Sequence, residues 1–156
     1  MNFLEWLQTT ALAVSVGETW FPWVEAAHVV FLAAVAGTIF MVDARLIGFA
    51  SRNLRVSYLA QHMLPWTWVA FGGAVITGTL MFMANAASYA TKAPFLIKMG
   101  LLLGAGLNML YFHLVTYRGV AGWDVGKPPG AARTAGAISM LCWIGVIAFG
   151  RWIGFV

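Results

Sequence analysis

Four runs of apolar residues, each long enough to cross a hydrocarbon layer, take up most of this 156-residue chain. A helix needs about 20 apolar residues to span the roughly 30 Å core of a bilayer. Lipid offers no partner to backbone N–H and C=O groups, so only helices and closed barrels cross it. The runs fall at about 20–48, 62–85, 94–117 and 131–155, lengths that suit helices and far exceed a barrel strand. The fold class is therefore all-α, an integral membrane four-helix bundle forming a single transmembrane domain over residues 1–156. With 62% hydrophobic and 9% charged residues, nothing is left over for a soluble second domain.

Ahead of the first span, Phe3, Trp6, Leu7, Thr10 and Val14 recur at helical spacing while Glu5 and Gln8 face elsewhere. That pattern predicts a short N-terminal interfacial helix over about 2–16. Its lack of a basic start argues that it is retained rather than cleaved as a signal peptide. Arg45, Arg52 and Arg55 fall between spans one and two, and Arg118, Lys127 and Arg133 between spans three and four. Basic residues accumulate on the cytoplasmic side, so both termini are expected to be periplasmic, with Trp20, Trp23 and Trp152 in the outer aromatic belt. The net charge of +4 is accounted for by membrane lipid headgroups, and no nucleic acid partner is implied. The lone Cys142 can form no internal disulfide.

Ionisable groups at membrane depth are costly and mark functional sites, which directs attention to His28, His62 and His113. His62 and His113 lie near the cytoplasmic ends of spans two and three, level to within about one turn at a rise of about 1.5 Å per residue. A bis-histidine haem needs two imidazoles on facing helices at one depth, so this pair is the candidate ligand set for haem b. Gly106 lies two turns inward from His113 and Gly73 three turns inward from His62, leaving slots for a flat macrocycle. Arg118 or Arg55 could pair with the propionates. The plainer reading places His62 in a wetted interfacial loop before Pro65, and lets His113 serve helix association alone.

His28 belongs to a second group. Glu25 precedes it by one turn, and Met83 and Met99 lie at comparable depth on spans two and three, so the set could form a soft copper site. Asp43 and Asn108 would mark a route inward. The competing account is a Glu25 to His28 contact that satisfies both groups near the headgroups. Gly100 and Gly104 form a small-xxx-small pair that could dock a neighbouring subunit without any cofactor.

Phe21-Pro22-Trp23-Val24-Glu25-Ala26-Ala27-His28, Asp43-Ala44-Arg45-Leu46-Ile47-Gly48, Leu64-Pro65-Trp66-Thr67-Trp68, Asn108 to His113 and Gly150-Arg151-Trp152-Ile153 resemble an uncharacterised family of small four-helix bacterial inner-membrane proteins. The resemblance spans nearly the whole chain. It implies a multi-pass location in the bacterial inner (cytoplasmic) membrane and a shared polar set of Glu25, His28, Asp43, Arg45, Asn108, His113 and Arg151. His62 stands outside those motifs. More distantly, the architecture is similar to b-type dihaem cytochromes and to copper-resistance D membrane proteins. Three readings follow: a cytochrome b-like electron-transfer protein serving quinone and a redox partner, a copper-binding or copper-transport protein, and a non-catalytic subunit of a larger membrane complex.

Overall fold

The structure, a computed structural model, describes residues 2–155. Two short helices open the chain, α1 (Phe3–Gln8) and α2 (Ala11–Ser15), and α2 runs through a π turn (Val16–Trp20) into α3 (Phe21–Ile47). Next come α4 (Val56–Ala84), the short α5 (Ala86–Tyr89), and α6 (Ala93–Tyr111), which continues through a π turn (Phe112–Thr116) and a 3₁₀ segment (Tyr117–Gly122). The final helix, α7, covers Gly130–Trp152. Ala11–Ile47, Val56–Ala84, Ala93–Gly122 and Gly130–Phe155 are each long and apolar enough to cross a membrane. The protein is an all-α bundle of four such helices.

Two boundaries differ from the sequence reading, and each has a local cause. The single interfacial helix expected over 2–16 is broken at Thr9 and Thr10. The Thr9 hydroxyl donates to the Trp6 carbonyl and that of Thr10 to the Leu7 carbonyl, both at 2.8 Å. These bonds compete with the helix ladder, and Thr10 then accepts from Ala13 N to start α2. Val14 consequently belongs to the first long helical run rather than to an interfacial one. The second span starts at Val56 instead of near 62, which places both His62 and Pro65 inside α4. Those extra turns are anchored by Asp124, which accepts from Ser57 N at 2.7 Å and from Ser57 Oγ at 2.6 Å.

All six loop cations of the sequence reading therefore gather at one end of the bundle, here the arginine end. Arg45 organises that end from within. It is 2% exposed, and its guanidinium donates to the carbonyls of Leu54, Asp124 and Gly126. One side chain thus ties both connecting loops to α3. Beneath it Leu46, Val56, Phe112, Ala132 and Ala135 form an apolar cluster.

Helix α3 is the centre of the bundle, packing against α4 on one side and α7 on the other, while α6 packs on α7. Small residues permit these approaches. A Cβ on Gly73 of α4 would lie 2.6 Å from the Phe31 ring of α3, and one on Gly136 of α7 would lie 3.2 Å from the Asp43 carbonyl. A second cluster of Val35, Ala70, Trp143 and Val146 fills the middle of the bundle. Helices α4 and α6 do not pack along their lengths, and the chain leaves a cleft between them.

Candidate functional site

The cleft between α4 and α6 widens into a cavity of about 950 Å³. It reaches from Phe82, Phe95 and Met99 at the termini end to Val56 and Tyr117 at the arginine end. Its extremities are held shut by contacts across the gap. At the termini end Phe82 and Phe95 stack with centroids 5.4 Å apart, and Tyr89 stacks on Phe95 at 6.2 Å. At the arginine end the Asp124–Ser57 bonds tie the loop before α7 to the start of α4.

The walls are mostly apolar, and the polar side chains on them stand in two groups. Toward the termini end are His28 of α3, Thr79 of α4 and Lys98 of α6; toward the arginine end are Asp43, Asn108, Ser139, His113 and Tyr117, with Thr67 of α4 between the two groups. Fifteen residues separate Lys98 from His113 on one helical run, roughly 22 Å at about 1.5 Å per residue.

His28 is held by α4. Its Nδ1 lies 2.9 Å from Thr77 Oγ1, and the Thr77 hydroxyl itself donates to the Gly73 carbonyl at 2.7 Å. A hydroxyl has one hydrogen, so Thr77 accepts from His28 and Nδ1 carries the proton. In the neutral ring Nε2 is then the lone-pair nitrogen. The absence of a side chain at Gly78 makes this fit possible, since a Cβ there would sit 3.0 Å from the ring. The Lys98 ammonium lies within electrostatic reach of His28. No hydrogen bond or carboxylate partner holds Lys98 among the described residues, and its Nζ lies 3.6 Å from where a Cβ on Gly150 would stand. An ammonium in a spanning helix costs about 3 kcal/mol at the centre and less toward the ends. Its retention on a cavity wall is therefore the signal of a site.

At the other end Asp43 is 5% exposed, with Ser139 as its hydrogen-bonding neighbour and Oδ2 unpartnered. Asn108 donates to the Ala135 carbonyl at 2.9 Å, which fixes α6 against α7. His113 lies in the π turn that ends α6, and such turns recur at functional sites. Its Nδ1 is 3.0 Å from the Met109 carbonyl. A carbonyl only accepts, so Nδ1 is the donor and Nε2 is left as the acceptor of a side chain that lines the cavity.

The structure does not bring the expected haem pair together. His62 is exposed, bonds the Tyr58 carbonyl through Nδ1 and lies tilted against the Tyr58 ring with centroids 4.1 Å apart, and it does not line the cavity that His113 lines. Pro65 did not end the helix, so His62 stayed on α4's outward face. His28 shares the cavity with His113, but at a depth roughly 20 Å away by helical rise. This chain's own histidines thus provide no opposed pair of axial ligands for one iron. Gly106 does line the cavity, with nothing within 4 Å of its missing side chain. Gly73 instead receives Phe31, and Arg118 is exposed outside the lining set.

The second expected group is also dispersed. Glu25 is exposed and neighbours Tyr89, Met83 is absent from the cavity wall, and Met99 is present on it. No group of three His, Cys, Asp or Glu side chains suited to a metal ion occurs among the described residues. Gly104 approaches Cys142 of α7, whereas Gly100 faces open space.

Lys98 and Ser139 are the site residues that sequence reasoning missed. Lys98 was recognisable as the sole cation inside the third apolar run. Ser139 carried no such mark.

A family of unknown function, DUF6644, matches residues 3–156. The chain belongs to this family. No curated protein and no solved structure matches it. The DUF6644 match covers the whole four-helix unit and both polar groups of the cavity.

Proposed function

We propose that this DUF6644 protein binds a membrane-soluble amphiphile, a long apolar molecule with a small polar head, which enters from the bilayer between α4 and α6. The carrying observation is the 950 Å³ cavity between those helices, apolar over most of its wall and provided with a few separated polar groups. Ligand sites commonly have this volume and this balance. By the distribution of cations the arginine end faces the cytoplasm and both termini face the other side. Quinones and related prenyl or acyl compounds have the required form.

Haem is a second reading, favoured by one arrangement: His113 lines the cavity with its Nε2 free to ligate, its tautomer fixed by Met109, and Gly106 leaves a bare stretch of the same wall. Orientation of a ligating imidazole through its other nitrogen is usual at metal centres. A haem there would supply one-electron chemistry, and His113 is the residue of this chain that would hold it.

A single preparation tests both. The protein is extracted with its surrounding lipid in polymer-bounded discs, and the same sample is analysed by visible spectroscopy and by mass spectrometry of its organic extract. One lipophile enriched to near stoichiometry over the bulk membrane, with no haem bands, supports the first reading. A b-type α-band that disappears in His113→Ala supports the second, and neither signal would overturn both.

A further inference from the structure

The termini end of the cavity has a chemistry that narrows the ligand class, on the reading that the cavity holds an amphiphile. His28 and Lys98 come from different helices and line the same cavity, with the Lys98 ammonium within electrostatic reach of the imidazole. Thr77 occupies His28 Nδ1 as its acceptor, and the Ala74 carbonyl lies on the same α4 edge. Nε2 has no side-chain partner among the described residues. The neutral ring therefore offers the cavity a hydrogen-bond acceptor, and Lys98 offers it a donor that accepts nothing.

One head group meets both demands. A hydroxyl on an aromatic ring has a proton for His28 Nε2 and lone pairs for Lys98 Nζ. An ionised carboxylate or phosphate diester would satisfy Lys98 but bring no proton to the imidazole. A quinone carbonyl would likewise use Lys98 alone, and an ether neither donates nor pairs well. Aromatic neighbours suit a ring-shaped head, since Phe82 and Phe95 close this end and Trp68, Phe71 and Trp143 lie on the wall beyond it. The remaining length, lined by Val35, Ile39 and Leu102 among others, would receive an apolar tail.

We propose that His28 and Lys98 form a head-group subsite for a quinol or similar hydroxyaromatic lipid, His28 Nε2 accepting a hydrogen bond from its hydroxyl and Lys98 Nζ donating to an oxygen of the same head group.

The test uses the full chain in lipid nanodiscs under anaerobic conditions, with three probes of equal tail length: a decyl benzoquinol, its dimethyl ether and decanoate. We expect the quinol to bind about tenfold or more tightly than the ether, the difference of roughly one to two hydrogen bonds. His28→Leu and Lys98→Met should each weaken the quinol about tenfold while leaving the ether unchanged. That constancy shows that the cavity is still folded. Equal binding of quinol and ether would overturn the subsite and leave the amphiphile cavity standing. So would tight decanoate binding that depends on Lys98 but not on His28, which identifies an anionic lipid. Failure of all three probes to bind would overturn the cavity reading itself.

Discussion

Asp124 caps a helix to which it is not connected. From the segment before α7 its carboxylate receives both the backbone N–H and the hydroxyl of Ser57, in the first turn of α4. The free N–H groups of a helix start normally find a side chain just upstream. Arg55 occupies that cap position and provides no such bond. The loop from α6 supplies it instead, so one interaction both begins α4 and closes the arginine end of the cleft.

Removing that carboxylate should be measurable. We expect Asp124→Ala to lower stability by about 1 kcal/mol, as for other cap losses, seen as a lower melting temperature in detergent. The hydrogen bonds from Ser57 hold the Asp124 carboxyl below its ordinary value of 3.8. A group depressed in the folded state stabilises fully above its unfolded value and loses that contribution as pH falls through the folded one. The gap in melting temperature between the parent and Asp124→Asn should therefore be constant from neutral pH down to about 4 and close below it. A gap unchanged at lower pH would mean that the carboxylate charge is not what matters.

Arg45 is the stronger fastening. Three carbonyls from two loops converge on its buried guanidinium, and substitution leaves these carbonyls without their donor. We expect Arg45→Met to cost about 3 kcal/mol. Arg45→Lys should recover only part of this, because an ammonium cannot reproduce the planar fork. Reversible unfolding in mixed micelles reads both, and a lysine variant as stable as the parent would contradict the geometry.

The long helices were legible because bilayer thickness sets their length directly. The start of α4 was not, since its cap comes from Asp124, 67 residues away, and no local signal announces it. Pro65 read as a candidate helix start and proved to be interior. His28, Asp43, Asn108 and His113 stood out as polar groups in apolar runs, and all four reach the cavity wall. Which of them meet depended on how helices rotate against one another. That rotation turns on contacts such as Phe31 against Gly73, where one glycine looks the same in sequence whether it seats a ligand or a ring.

Changes at His62 and His113 should separate sharply. His62 points away from the cavity and His113 lines it. His62→Ala is expected to leave ligand occupancy, read by mass spectrometry of the extracted protein, within about twofold of the parent. For His113→Ala a clear change in occupancy or in any haem spectrum is expected. Parallel effects from the two substitutions would indicate that both histidines reach one ligand and that α4 turns relative to this arrangement.

Two glycines provide the most direct comparison of packing with binding. At Gly73 an added methyl would overlap the Phe31 ring at 2.6 Å, where overpacking typically costs about 2 kcal/mol. Gly73→Ala should therefore reduce stability, and the further change Phe31→Leu should restore part of it by clearing the space. Gly106 borders the cavity, and nothing lies within 4 Å of its missing side chain. Gly106→Leu should keep the melting temperature near or above the parent's, because leucine is the better helix former, while filling volume that a ligand needs. Loss of ligand without loss of stability at Gly106, beside loss of stability at Gly73, would locate the binding volume on the α6 side of the cleft. If Gly106→Leu bound ligand as well as the parent, the inner half of the cavity would not be part of the site, and the head-group end at His28 and Lys98 would have to hold the molecule alone.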